Sequence, residues 1–279
     1  MSSGALLVIT IILLGLVALF VGVMLVFAGN KFAVAVDPKE SAVRECLPGN
    51  NCGACGYPGC DGLAAAIAKG EAPVNKCPVG GAPVATKISE IMGVSAEESV
   101  RQVAFVRCSG TCDKAVNNSN YVGIRSCSAA AAIPGKGEKL CQDGCLGFGE
   151  CVAQCDFDAI HIVDGIAYVD RTKCVGCGKC AKACPQHLIE IIPDTAVYAV
   201  ACASRDKGKA VKAQCAAGCI GCRGCVIRCK NGAMTFANNL AHIDYSQCTG
   251  CGDCTVKCPA NVIVNRLAPK DQAAEKPAS

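Results

Sequence analysis

Between Cys141 and Cys258 one cysteine pattern is written twice, and no other feature of the chain limits its fold so tightly. Cys141, Cys145, Cys151, Cys155, Cys174, Cys177, Cys180 and Cys184 reappear 74 residues later as Cys215, Cys219, Cys225, Cys229, Cys248, Cys251, Cys254 and Cys258. Neighbours keep the same offset, among them Gly144/Gly218, Gly147/Gly221, Ala159/Ala233, Asp170/Asp244, Gly176/Gly250 and Pro185/Pro259. A whole folded unit was therefore duplicated, and the rest of the chain has to be read around the pair.

The 279 residues hold 26 cysteines, no tryptophan and only 4% aromatic side chains, too few large groups for a conventional core. Small units short of apolar core are stapled by disulfides or by metal. Spacing separates the two: Cys174-x2-Cys177-x2-Cys180-x3-Cys184-Pro185 places thiols two and three residues apart, a geometry for metal, whereas disulfide partners usually come from separate segments at fixed Cα separations. The net charge of +4 is modest, and no nucleic-acid recognition motif occurs, so nucleic acid is not an expected partner.

From Ala5 to Ala28 the chain is apolar or small, with no charge before Lys31. A helix of this length reaches across about 30 Å of hydrocarbon. The run lacks a basic leader and exceeds a signal-peptide core, so it reads as a retained single-pass anchor. Lys31, Lys39 and Arg44 follow it while Met1–Gly4 carries no basic residue, which places the C-terminal part in the cytoplasm, beneath the cytoplasmic (inner) membrane.

A short linker is expected around residues 36–45. Next, Cys52-x2-Cys55-x4-Cys60 lies in a Gly/Pro loop, Asp61–Lys69 reads as an Ala-rich helix, and Cys77-Pro78 closes a four-thiol site. Zinc remains an alternative there, since its four-thiolate sites share such spacings. Cys46 reads as a free thiol. Residues 82–100 form a helical connector with Ile88, Ile91 and Met92 as its apolar stripe. Strand-like runs then end in Cys108 (Gln102–Arg107) and in Cys202 (Val197–Ala201), with loop and short helix over 109–137. Cys108, Cys112, Cys127 and Cys202 are either buried free thiols or contributors to a sixth metal site.

Each copy of the repeat carries two short strands, 159–163 with 166–169 and 233–236 with 240–243, closed as hairpins at Asp164-Gly165 and Asn238-Asn239. Their apolar residues, with those at 188–192 and 262–264, should wall metal sites off from water. Arg205, Lys207, Lys209, Lys212, Arg223, Arg228 and Lys230 make a basic stretch able to steer an acidic redox partner. No dinucleotide or nucleotide phosphate loop occurs, and no nucleophile and base set is present, so the chain has no catalytic residues or NAD site of its own. His161, His187 and His242 are isolated.

The repeated runs resemble those of two-cluster bacterial ferredoxins, where the first three cysteines of each C-x2-C-x2-C-x3-C-P run hold one [4Fe-4S] cluster and the fourth crosses to the other. The resemblance implies that Cys174, Cys177 and Cys180 take Cys155, while Cys184 crosses to Cys141, Cys145 and Cys151. In the second copy Cys248, Cys251 and Cys254 take Cys229, and Cys258 crosses to Cys219, Cys222 and Cys225. The copies differ at one ligand: Cys222 aligns with Phe148, so the first copy must recruit Cys141, whereas Cys215 is spare in the second.

The order of anchor, LPGNNCGACGYPGC with Cys77, and tandem ferredoxin units resembles the B subunits of Rnf electron-transport complexes over nearly the whole chain. That resemblance implies a component of a membrane ion-translocating ferredoxin:NAD+ oxidoreductase. It would take electrons from soluble ferredoxin and relay them through five or six [4Fe-4S] clusters to membrane and flavin subunits. A related Rsx-type role, reducing a redox-sensing transcription factor, and a structural zinc protein are the alternatives. The expected fold class is α+β, divided into an anchor (1–30), a 4Fe-4S domain (35–94), a connector (95–140), ferredoxin units at 141–200 and 201–266, and a disordered tail (267–279).

Overall fold

The computed structural model describes residues 3–31, 37–95 and 100–267; the expected tail lies outside them apart from Leu267. Helix α1 (Ser3–Lys31) contains an 18-residue stretch, Ile11–Ala28, of mean hydropathy 3.1, with none of it buried against the rest of the protein. Its side chains are bare on every face from Ile11 to Phe27. By length and composition it can cross a membrane, and a helix apolar all round needs an apolar surrounding.

The segment expected as a linker is instead helix α2 (Pro38–Cys46). Asp37 caps it by accepting the Lys39 amide at 2.8 Å, and Pro38 stands in the first turn, where its missing N–H is no loss. Only two apolar side chains, Val43 and Leu47, fasten it, too sparse a pattern to read as a periodic helix. They pack on α3 (Gly59–Ala68) and α4 (Gly81–Met92), around Leu63, Ile67 and Ile88. Arg44 reaches across to pair with Asp61.

The remaining elements form an α+β body in two copies. The first has β1 (Gln102–Val106), α5 (Cys127–Ala131), α6 (Glu150–Ala153), β2 (Ile160–Val163), β3 (Ile166–Val169), α7 (Lys179–Ala183) and β4 (Ile189–Pro193). The second has β5 (Tyr198–Val200), α8 (Gly208–Gln214), α9 (Gly224–Arg228), β6 (Met234–Ala237), β7 (Leu240–Ile243) and β8 (Ile263–Asn265). Four two-stranded antiparallel sheets result: β2 with β3 and β6 with β7 as hairpins, β1 with β4 and β5 with β8 as long-range pairs. Both hairpin turns have two consecutive residues at positive φ, Asp164 (48°) with Gly165 (76°) and Asn238 (50°) with Asn239 (61°). That is the twist a two-residue hairpin requires.

The long-range pairs extend the repeat beyond its cysteine offset. Val106 lies opposite Ile189 and Val200 opposite Ile263, so β1 and β5 are equivalent at an offset of 94 rather than 74. Gly176 and Gly250, both at positive φ, show how tightly the cysteine loops press on these strands. A side chain there would collide with the Gln102 carbonyl in the first copy and with Val197 in the second.

Arginines join the two copies at the outer end of β4. Arg171 donates to the Asp194 carboxylate (2.7 and 3.1 Å) and to the Arg266 carbonyl (3.1 Å), and Arg266 donates to the carbonyls of Pro193 and Ala196. Arg101 reaches the same Asp194. Replacing Asp194 with Ala leaves these guanidinium groups facing each other without their shared carboxylate. Thermal unfolding of the anaerobic protein should show it destabilised by about 1–3 kcal/mol. An unchanged melting temperature would mean that the arginines hold the seam through carbonyls alone.

Candidate metal centres

The cysteines are carried on short loops ahead of one-turn helices, and the glycines among them take positive φ, which folds each loop back on itself. In the first copy Cys155, Cys174, Cys177 and Cys180 line one cavity of about 350 Å³, counting space open to solvent. In the second copy Cys219, Cys222, Cys225 and Cys258 line another of about 410 Å³. Cys248 and Cys251 act electrostatically on Cys254, and Cys229 packs in the same apolar cluster. Cys77 feels Cys60 and Cys52 in the same way, with Cys55 beside them. These are the residues that the sequence groups into four of its five expected sets.

The fifth set differs. Cys145, Cys151 and Cys184 share a cavity of about 390 Å³ with Cys127, not with Cys141. The reason lies at Phe148, which fills the position where the second copy has Cys222. The Tyr121 ring packs on Phe148 at 5.4 Å between centroids, and the Arg125 guanidinium lies 5.6 Å above it. Glu150 accepts the Ser128 amide (2.9 Å) and hydroxyl (2.7 Å), and Ser126 caps α5. Although burial opposes its charge, these hydrogen bonds hold Glu150 below the usual carboxylate range. The aromatic ring that displaced a cysteine thus anchors the loop that supplies its substitute. Cys127 carried no motif in the sequence; the aromatic at position 148 beside Tyr121 and Arg125 was the available signal.

Amides point at the sulfurs throughout: Ala104 to Cys174 (3.3 Å), Ala159 to Cys155 (3.4 Å), Ala167 to Cys145 (3.4 Å) and Gly80 to Cys77 (3.4 Å). The pair Leu188 to Cys184 (3.5 Å) and Val262 to Cys258 (3.4 Å) repeats at the 74-residue offset. Burial first, and neighbouring thiols second, push Cys151 and Cys180 up to about 12 and Cys254 up to about 11. Such thiols ionise only beside a positive centre. Among the described residues no three His, Cys, Asp or Glu side chains converge to the radius of a single metal ion. The thiols line cavities of about 350–410 Å³, and their spacing fits a polynuclear cluster.

The described histidines sit apart from these sets: His242 meets Glu190 at 3.0 Å across the two copies, and His161 lies 3.7 Å from Asp158. Cys112 is exposed and Cys46 packs beside the core of the N-terminal domain, each outside any set. Cys141 lies across a separate cavity with Cys108, Cys202 and Cys215.

Residues 47–79 match the family described as "Putative Fe-S cluster", and residues 167–190 and 240–263 each match a family described as "4Fe-4S binding domain". Together with the thiol sets, this defines an iron-sulfur protein with ferredoxin-type units and one apolar N-terminal helix. The chain is similar to the B subunit of the Na(+)-translocating ferredoxin:NAD(+) oxidoreductase complex of Acetobacterium woodii, at 45% identity over 90% of this chain and 75% of that one. It is also similar to the B subunit of the ion-translocating oxidoreductase complex of Methanosarcina acetivorans (40%, over 87% and 92%). The B subunit of the proton-translocating ferredoxin:NAD(+) oxidoreductase complex of Clostridium ljungdahlii is 39% identical, over 91% and 90%. The chain belongs to the B-subunit family of ion-translocating oxidoreductase complexes.

The docked loop can be tested. Cys127→Ser should remove about four iron atoms per chain, one cluster's complement. Adding Phe148→Cys, which restores the ligand present in the second copy, should return them. Iron and sulfide analysis of anaerobic material reads both; a Cys127→Ser protein with full iron would show that this site takes its fourth ligand elsewhere.

Proposed function

We propose that the chain is the electron-carrying component of a membrane-bound ferredoxin:NAD+ oxidoreductase that translocates ions, receiving electrons from soluble ferredoxin and relaying them to membrane and flavin subunits. Its iron-sulfur part faces the cytoplasm, with α1 as the single-pass anchor. Five [4Fe-4S] clusters are held by Cys52/Cys55/Cys60/Cys77, Cys155/Cys174/Cys177/Cys180, Cys127/Cys145/Cys151/Cys184, Cys219/Cys222/Cys225/Cys258 and Cys229/Cys248/Cys251/Cys254. When bound, these clusters supply one-electron chemistry; the chain's own residues fix their positions, aim amides at sulfur and exclude water.

The observation that carries this reading is that neighbouring sets adjoin, the N-terminal set against the first copy and the two sets of each copy against one another. Cys52 lies within electrostatic reach of Cys177 and Lys179, Cys151 of Cys180, and Cys254 of Cys225. The N-terminal domain, next to the anchor in sequence, adjoins the first copy, a position that suits the delivering end. The second copy is the more open one: Cys222 and Cys251 are exposed, whereas Cys174 and Cys180 are buried. It also carries exposed Lys207, Lys209, Lys212, Arg223, Lys230 and Lys257, with Ile227 (84% exposed) and Val256 (72% exposed) bare nearby in sequence. A basic rim with apolar contacts suits an acidic protein donor.

Two measurements test the reading. Anaerobically purified full-length chain should carry about twenty iron atoms from the five sites, or more; zinc with little iron would overturn it. Reversing charge at Lys207, Lys209 and Lys212 together should slow reduction by ferredoxin roughly tenfold at low salt and flatten its salt dependence. An unchanged rate and salt profile would move the docking face elsewhere.

A further inference from the structure

Cys108, Cys141, Cys202 and Cys215 line one cavity of about 410 Å³ between the two copies, close to the 350–410 Å³ of the cavities of the ferredoxin-type sets. We propose that these four thiols bind a sixth iron-sulfur cluster, which bridges the two ferredoxin units. The proposal rests on the electron-carrying reading for its role, and on the thiols alone for its existence.

Each copy contributes the same two cysteines. Cys141 and Cys215 are equivalent at the offset of 74, and Cys108 and Cys202, two residues beyond the equivalent Val106 and Val200, at the offset of 94. The amides aimed at their sulfurs are equivalent as well. Cys145 donates to Cys108 Sγ at 3.4 Å, and Cys219, 74 residues on, donates to Cys202 Sγ at 3.3 Å. The Asp143 amide faces Cys141 as the Ala217 amide faces Cys215. Gly110 lies against two of the thiols: a Cβ on it would sit 3.3 Å from Cys215 Sγ and 3.6 Å from Cys108 Sγ. Four thiols with amide donors, drawn two by two from duplicated units, reproduce the donor pattern of the other sites.

A charge on the cavity wall points the same way. Lys139 is buried, and its amine donates to the carbonyls of Gly110 (2.9 Å), Cys145 (3.0 Å) and Gly165 (2.8 Å). No carboxylate among the described residues pairs with it. A buried ammonium on neutral acceptors is costly. A cluster held by four thiolates is anionic, and Lys139 lines its cavity. The remaining two cysteines, Cys46 and Cys112, fall outside all six sets.

The position gives the role. The seam set touches the first copy through the Cys145 amide and the second through the Cys219 amide, and each of those cysteines belongs to a neighbouring set. A cluster held by Cys108, Cys141, Cys202 and Cys215 would lie between a set of each copy and would supply one-electron exchange between them.

Iron and acid-labile sulfide of anaerobic full-length protein should come to about twenty-four per chain, falling to about twenty in Cys108→Ser/Cys202→Ser, while Cys112→Ser keeps the full count. Alkylation of the native wild-type chain, read by mass spectrometry, needs no variant: Cys112 should react promptly, and Cys108, Cys141, Cys202 and Cys215 only after iron is chelated. A wild-type count of about twenty, with the four seam thiols labelled as fast as Cys112, would overturn the sixth cluster and leave the five-site reading standing. Zinc with little iron would remove both.

Discussion

Thiols brought together in a dry space resist ionising, because each new negative charge is opposed by burial and by its neighbours. Cys151 and Cys180, both pushed up to about 12, display that resistance, and the fold is organised around meeting it. Apolar hairpins exclude water, amides point inward at sulfur, and the chain bends through glycines at positive φ to gather four thiols from short loops. So little regular structure would be a poor core on its own: among the described residues no strand exceeds five residues, and every sheet has two strands. Metal coordination can supply the cohesion that large side chains provide elsewhere.

What could be read from the sequence followed how local each signal was. The hairpins at Asp164-Gly165 and Asn238-Asn239, helix α3 and the sets built from closely spaced cysteines were legible because turn residues and ligand spacing lie within a few positions. Helix α2 was missed because one capping aspartate and two buried aliphatics leave almost no periodic trace. Cys127 was hidden for another reason. Its place is set by a ring stack, a guanidinium over that ring and a carboxylate clamp, all contacts distant in sequence. Cys108 and Cys202 were legible as the ends of two similar strand-like runs, but a comparison at the fixed offset of 74 does not align them, because the offset changes to 94 at the strands.

The two copies have diverged around a shared plan. In the first, Phe148 and the docked 121–128 loop close one site, and the N-terminal domain lies beside another. In the second, Cys222 and Cys251 remain at the surface among basic side chains. Burial and charge near a cluster set its reduction potential, so copies with the same ligands need not sit at the same potential. One copy enclosed and one open is the asymmetry a directional conduit requires.

The division of Cys108 and Cys141 from Cys202 and Cys215 also bears on how the protein matures. A ribosome delivers the first copy with every thiol of its own two sites already made, yet with Cys108 and Cys141 facing a half-lined cavity. Only when residue 215 has emerged and folded back does that cavity gain its other half. Completion of the seam therefore reports that both copies are present and correctly docked. A nascent chain cut short between them would keep two thiols bare, a mark by which quality control could tell the fragment from the finished protein.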